Sequence, residues 1–154
     1  TLRVDQINSF DSGQIPGLTT EQIFALTAEQ VQNMGSTQLN LLSSTQLQAL
    51  EVSDLQVLTA EQISSLYTAN IVKLSTQIRA LTAGQELAIT PEQIASLKTT
   101  QIQSISEDQM RVLTTEQTAA LTLAQVQALS GAQMQALSPD SRQVLLSNYP
   151  EYAA

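Results

Sequence analysis

Apolar residues return at every eighth position along almost the whole chain. Counting from Leu2 they fall at Phe10, Leu18, Leu26, Met34, Leu42, Leu50, Leu58, Leu66 and Leu74. One residue is then missing, and the frame resumes at Leu81, Ile89, Leu97, Ile105, Leu113, Leu121, Leu129, Leu137 and Leu145. Of the 17 full-length blocks from Leu2 to Leu137, 14 carry an aliphatic residue or Met in the sixth slot. The fifth slot is Gln in 14 of the same 17, the exceptions being Asp54, Asn70 and Ser141. The cleanest copy reads Leu18-Thr19-Thr20-Glu21-Gln22-Ile23-Phe24-Ala25. Self-similarity at a fixed period decides the fold before any other feature.

Helix-capping chemistry explains why eight residues make a unit. Thr19 is suited to an N-cap, and Gln22 falls three residues later, where a capping box needs a side chain that reaches back to the N-cap amide. Leu18 and Ile23 flank this box as its hydrophobic staple. Glu21 stands where the helix dipole favours negative charge. Pro91 and Pro139 occupy the first helical position, the one a helix prefers for Pro. Each block therefore carries its own helix-start signal.

Two other architectures fit less well. In one continuous helix the apolar slot would advance by about 80° per block, leaving no fixed stripe, and Pro91 and Pro139 would each cost about 3 kcal/mol. A β-solenoid would also use short periodic blocks, but Ala-Glu-Gln and Gln-Ala-Leu segments favour helices and Gly-containing turns are scarce. The expected fold is all-α: an α-solenoid, a narrow superhelical rod of very short capped helices, one per eight-residue repeat. Helices this short are marginal alone, so the first-slot and sixth-slot side chains must pack on neighbouring blocks, and the small eighth-slot residues must let backbones approach. The solenoid is expected over residues 2–144, with an irregular stretch at 66–80 and a C-terminal cap or tail at 145–154. Residues 10–17 read as a loosened copy whose Pro16 and Gly17 stop its helix early.

Composition narrows the chemistry. The 154 residues contain no Cys, His or Trp, which removes thiolate and imidazole ligands, disulfides and the commonest general base. Six basic residues against fourteen acidic give a net charge of −8, which repels nucleic acid and anionic membrane surfaces. There is no apolar run long enough to span a bilayer and no signal-peptide pattern. The opening at Thr1 reads as a piece of a longer polypeptide.

The repeated Gln is the most specific signal: Gln22, Gln30, Gln38, Gln46, Gln62, Gln93, Gln101, Gln109, Gln117, Gln125 and Gln133. Its first reading is the capping box. A second is a ladder in which the amides bond one another or the backbone of the next block. Both are structural. The fourth-slot acids (Glu21, Glu29, Glu61, Glu92, Asp108, Glu116) read as solvated carboxylates, since calcium-loop patterns are missing. Tyr67, which displaces an N-cap hydroxyl, together with Lys73 and Arg79, two of only six cations, forms the candidate ligand patch. The seventh slot, with Phe24, Gln32, Gln48, Gln56 and Arg111 among others, is where a binding surface would vary. No catalytic, cofactor or metal residues are expected, and the chain does not read as an enzyme.

Blocks such as Leu113-Thr114-Thr115-Glu116-Gln117 and Leu121-Thr122-Leu123-Ala124-Gln125-Val126-Gln127-Ala128 resemble the Leu-Thr-Thr-x-Gln-Ile-x-Ala arrays of very large bacterial secreted or cell-surface proteins, several labelled adhesins or haem-utilisation proteins. The resemblance implies an extracellular or bacterial cell-surface location and a stalk or spacer role, with the rest of a larger parent polypeptide as partner. An alternative is a repeat scaffold that binds a protein, peptide or glycan. Haem gains no support from the residues, because His and Cys are absent and Met34, Met110 and Met134 lie in core slots. Ile89-Thr90-Pro91-Glu92-Gln93-Ile94-Ala95-Ser96 also resembles the opening of a transcription-activator-like effector repeat. Those repeats are much longer and use a Gly-rich basic loop that this chain lacks, so no nucleic acid partner and no membrane insertion are expected.

Overall fold

The computed structural model describes residues 3–152, the side chains at 4, 75, 76 and 83 excepted. Among these residues there are sixteen short α-helices, two 3-10 segments and no strand. The helices are α1 (Val4–Asn8), α2 (Thr20–Phe24), α3 (Ala28–Gln32), α4 (Ser36–Leu41), α5 (Ser44–Ala49), α6 (Val52–Gln56), α7 (Ala60–Ser64) and α8 (Thr68–Lys73). After a 3-10 segment at Ser75–Ala80 come α9 (Ala83–Glu86), α10 (Pro91–Ser96), α11 (Thr99–Ser104), α12 (Glu107–Val112), α13 (Thr115–Ala119), α14 (Leu123–Ala128), α15 (Gly131–Ala136) and α16 (Pro139–Asn148), then a short 3-10 turn at Pro150–Tyr152.

Helices α4, α5, α10, α11 and α14 end because the chain turns extended at the C-cap. Leu42 (φ −64°, ψ 133°) and Ser43 (φ −68°, ψ 168°) are two consecutive extended residues between α4 and α5. Leu50 and Glu51 do the same before α6. This corner lies in backbone space open to any L-residue, which is why the array needs no glycine to turn. The next N-cap follows at once. Thr19, Thr27, Ser43, Thr59, Thr90, Ser106, Thr114, Thr122 and Ser130 each accept the N3 backbone N–H on the side-chain oxygen.

Three blocks complete one superhelical turn, so each element packs on the third one after it. α2 lies against α5, α5 against α8, α8 against α10, α10 against α13 and α13 against α16. The 3-10 segment takes a helix's place in a second row, between α6 and α11, and α4, α7, α9, α12 and α15 form the third. The core is the shared interior. Sixth-slot residues such as Ile23, Leu47, Ile63, Ile71 and Ile94 and first-slot residues such as Leu42, Leu50, Leu81, Ile89 and Leu113 are all buried in it. A helix of five or six residues thus gains its stability from the turns above and below it.

Two blocks depart from one helix per repeat. Residues 10–17 form a turn: Asp11 Oδ1 accepts the Gly13 and Gln14 amides, but Pro16 has no N–H with which to continue a helix. Ile15 still fills its core slot. The seven-residue block 74–80 winds as a 3-10 segment, the tighter helix that a lost residue favours. At the far end, α16 runs unbroken across position 144/145, so the boundary expected there falls inside a helix.

Candidate functional site

The fifth-slot Gln carries two sets of hydrogen bonds at once. In Gln93, Oε1 accepts the Thr90 N–H at 2.8 Å while the Gln93 N–H donates to Thr90 Oγ1 at 3.2 Å, the reciprocal box. Its Nε2 donates to the carbonyls of Ile63 (2.9 Å) and Leu66 (2.7 Å), one superhelical turn earlier. Ile63 lies in the last turn of α7 and Leu66 two residues beyond its end, and the Ile63 carbonyl also accepts the Leu66 N–H at 3.1 Å. One amide thus starts its own helix and finishes another. Gln125 repeats the arrangement on Ile94 and Leu97, Gln133 on Ile102 and Ile105, Gln117 on Glu86 and Ile89, and Gln46 on Ile15 and Leu18. Gln38 reaches Ile7 and Phe10, Gln62 reaches Gln32 and Met34, and Gln101 reaches Ile71. The partners are main-chain carbonyls a full turn back, not the next block. Gln30 is buried with its Oε1 on the Thr27 N–H. Gln22 is exposed and makes its box with Thr19.

The exceptions show which half of this bond set each side chain can supply. Asp54 Oδ2 accepts the Glu51 N–H at 2.9 Å but has no amide to extend backwards. Burial raises its carboxyl above the usual range; the Glu51 amide bond opposes the rise and the Glu51 charge adds to it. Ser141 Oγ reaches the Leu113 carbonyl at 3.0 Å. Tyr149 stands in the fifth slot of the block from Leu145, and its hydroxyl donates to the Leu121 carbonyl at 2.7 Å. The bonding row therefore continues into the segment expected as a C-terminal cap or tail. Gln77 donates to Leu50 O at 2.9 Å, but the missing residue shortens the spacing and leaves its buried Oε1 unpartnered.

Glu86 is the one acid in the apolar sixth slot, and it is fully buried. Gln109 Nε2 donates to its Oε1 at 2.8 Å, while Oε2 has no partner. Burial pushes the carboxyl up to about 8. The frame already marks this position by placing an acid where aliphatic residues belong.

Tyr67 is exposed, and Lys73 is half-buried with its Nζ 2.9 Å from Asn70 Oδ1. Lys73 and Arg79 open onto different hollows: one is lined by Lys73, Lys98, Ser44 and Thr100, the other by Arg79, Val52, Gln56 and Gln77. Tyr67 lines neither. In the seventh slot, Gln48 and Gln56 donate to the Lys73 and Ala80 carbonyls of the following turn. Among the described residues no three acidic side chains gather as a metal cluster, and no helix is long and apolar enough to cross a membrane.

The chain is thus a tandem-repeat α-solenoid whose successive turns are joined by a row of buried amides. Residues 87–123 match the family model described as the ALTTAQ repeat, a motif visible in Ala120-Leu121-Thr122-Leu123-Ala124-Gln125. No curated protein and no solved structure matches the chain significantly.

Proposed function

We propose that this repeat module is a non-catalytic stalk or spacer segment of a large bacterial secreted or cell-surface adhesin-like protein. One observation carries the reading: every turn is joined to the previous one by the same Gln bonds, so length grows by repeating one interaction. Such a rod has nearest-neighbour energetics and sets a distance rather than enclosing a site. Removing residues 97–120, three blocks and hence one turn, tests it. The shortened protein should keep its helical circular dichroism and cooperative unfolding while X-ray scattering reports a shorter particle. Loss of the fold would defeat the modular reading. The location is checked by fractionating the producing cells, with recovery expected at the surface or in the medium. A binding role is the second reading, and the lysine-lined hollow supports it.

A further inference from the structure

We infer that the hollow between α5, α8 and the start of α11 binds a single oxyanion group, a phosphate or sulfate. Going beyond the spacer reading, this rests on where the few cations lie. Arg3 pairs with Asp5 at 3.1 Å, Arg111 pairs with Glu107 and Asp108, and Arg142 donates to the Gln135 and Leu137 carbonyls. Among the described residues Lys73, Arg79 and Lys98 make no ion pair, and two of these three share one hollow of about 230 Å3. A water's share of liquid volume is about 30 Å3, so there is room for the anion with part of its hydration.

The lining suits that charge. Ser44 and Gln48 come from α5, Lys73 from α8, and Lys98, Thr100 and Gln101 from the next turn, so ammonium groups and hydroxyls line the hollow without a carboxylate, while the Gln48 and Gln101 amides are engaged with the Lys73 and Ile71 carbonyls. In a chain of net charge −8, none of these three helices carries an acidic residue. Lys73 gives a hydrogen bond to Asn70 Oδ1 at 2.9 Å, which fixes its head group and leaves two of its three protons for a ligand. Lys98 stands in the N-cap slot that most blocks fill with Thr or Ser, and like Arg3, Gly35, Glu51 and Tyr67 it gives no side-chain cap bond. The overall charge repels an extended polyanion, which leaves an isolated group as the occupant.

The test is a titration of the intact chain with inorganic phosphate, and separately with glucose 6-phosphate, followed by amide NMR shifts at pH 7 and constant ionic strength. Saturable shifts at Gln48, Lys73, Lys98 and Thr100 are expected, and the probe that saturates first identifies a free or a sugar-borne group. Lys98→Thr restores the consensus cap, so it should raise the thermal midpoint while weakening binding about tenfold, the scale of a lost charged hydrogen bond. Lys73→Gln should weaken it similarly, and Arg111→Gln should leave it unchanged. Linear shifts spread over Arg111 and Arg142 as well, or unaltered binding in the Lys98→Thr protein, would overturn the inference.

Discussion

Asn70 reaches Asn40 twice across one superhelical turn: its Nδ2 donates to Asn40 Oδ1 at 3.0 Å and to the Asn40 carbonyl at 3.1 Å. Asn70 replaces the usual Gln and is one methylene shorter. The N-cap amide of its block, Tyr67 N–H, is therefore accepted by Asn40 Oδ1 at 2.8 Å instead of by the fifth-slot side chain. Asn40 also donates to the Ser65 carbonyl at 2.9 Å. Two short amides thus share the work of one long one.

Asn40→Ala should accordingly destabilise the protein by about 1–3 kcal/mol, because it leaves a helix-start amide and a half of the Asn70 amide without partners. Adding Asn70→Gln should restore most of that loss, since Gln at this position regains the spacing needed for its own cap. Urea unfolding of the two single variants and the double variant measures the coupling. Additive losses would show that the two residues act independently.

The buried amide row predicts an order of effects at Gln93. Gln93→Leu removes the acceptor for Thr90 N–H and the donor to Ile63 and Leu66, so it should cost about 2–4 kcal/mol. Gln93→Glu keeps the acceptor but sets an ionised oxygen against two carbonyls. Its loss should be largest at neutral pH and shrink as acid protonates the side chain. Gln22→Glu, exposed and in the first helical turn, should be close to neutral or slightly stabilising. Equal losses at 93 and 22 would contradict the amide's bridging role.

The helix starts were legible because capping is local: a hydroxyl and a Gln three residues later describe Thr90 and Gln93 completely. The other half of the bond set was not legible, since its acceptors lie 28 to 31 residues back and depend on how many blocks make a turn. That number follows from the extended corner between helices, as at Leu42 and Ser43, and side-chain patterning does not encode it. Tyr149 shows the same gap. The eight-residue frame places it with the glutamines, but its hydroxyl becomes a recognisable substitute only once Leu121 is known to lie beneath it. The grouping of Tyr67, Lys73 and Arg79 rested on nearness along the chain, whereas the rod brings Lys73 to Lys98, one turn later.

Glu86 gives the stability a distinctive pH dependence. Its carboxyl titrates near 8 in the folded chain against 4.5 as its ordinary value, so the folded state holds the proton more tightly than the unfolded state. The contribution of this group to stability is greatest below pH 4.5, declines between pH 4.5 and 8, and is level above that. Glu61 on α7 and Glu107, Asp108 and Arg111 on α12, the charged residues of the helices packed against α9, are exposed. Glu86→Gln keeps the shape and removes the titration. Relative to wild type it should gain little at pH 4.5 and roughly 3 kcal/mol at pH 7, from 1.36 kcal/mol per pKa unit. Chemical denaturation of both proteins from pH 4.5 to 9 checks this, because the other carboxylates cancel in the difference. A constant difference across the range would mean that Glu86 is not held protonated.

The seven-residue block offers the converse test, in which adding a residue should stabilise. Gln77 lies two positions after Ser75, one short of the capping-box spacing, and its buried Oε1 has no partner although its Nε2 still reaches the previous turn at Leu50. The block winds as a 3-10 segment in consequence. Inserting one Ala between Ser75 and Thr76 restores eight residues and sets the Gln three positions after the backbone N–H of Ser75. The segment should become α-helical, and stability should rise by about 1–2 kcal/mol, the scale of a cap bond plus the satisfaction of a buried acceptor. An insertion into a regular block, for example between Thr115 and Glu116, should instead cost stability, because it moves Gln117 out of reach of Thr114 N–H. Thermal unfolding of the two insertions side by side decides the matter: a loss in both would mean that the rod has adapted to the short block, and that its length there is a requirement of the fold.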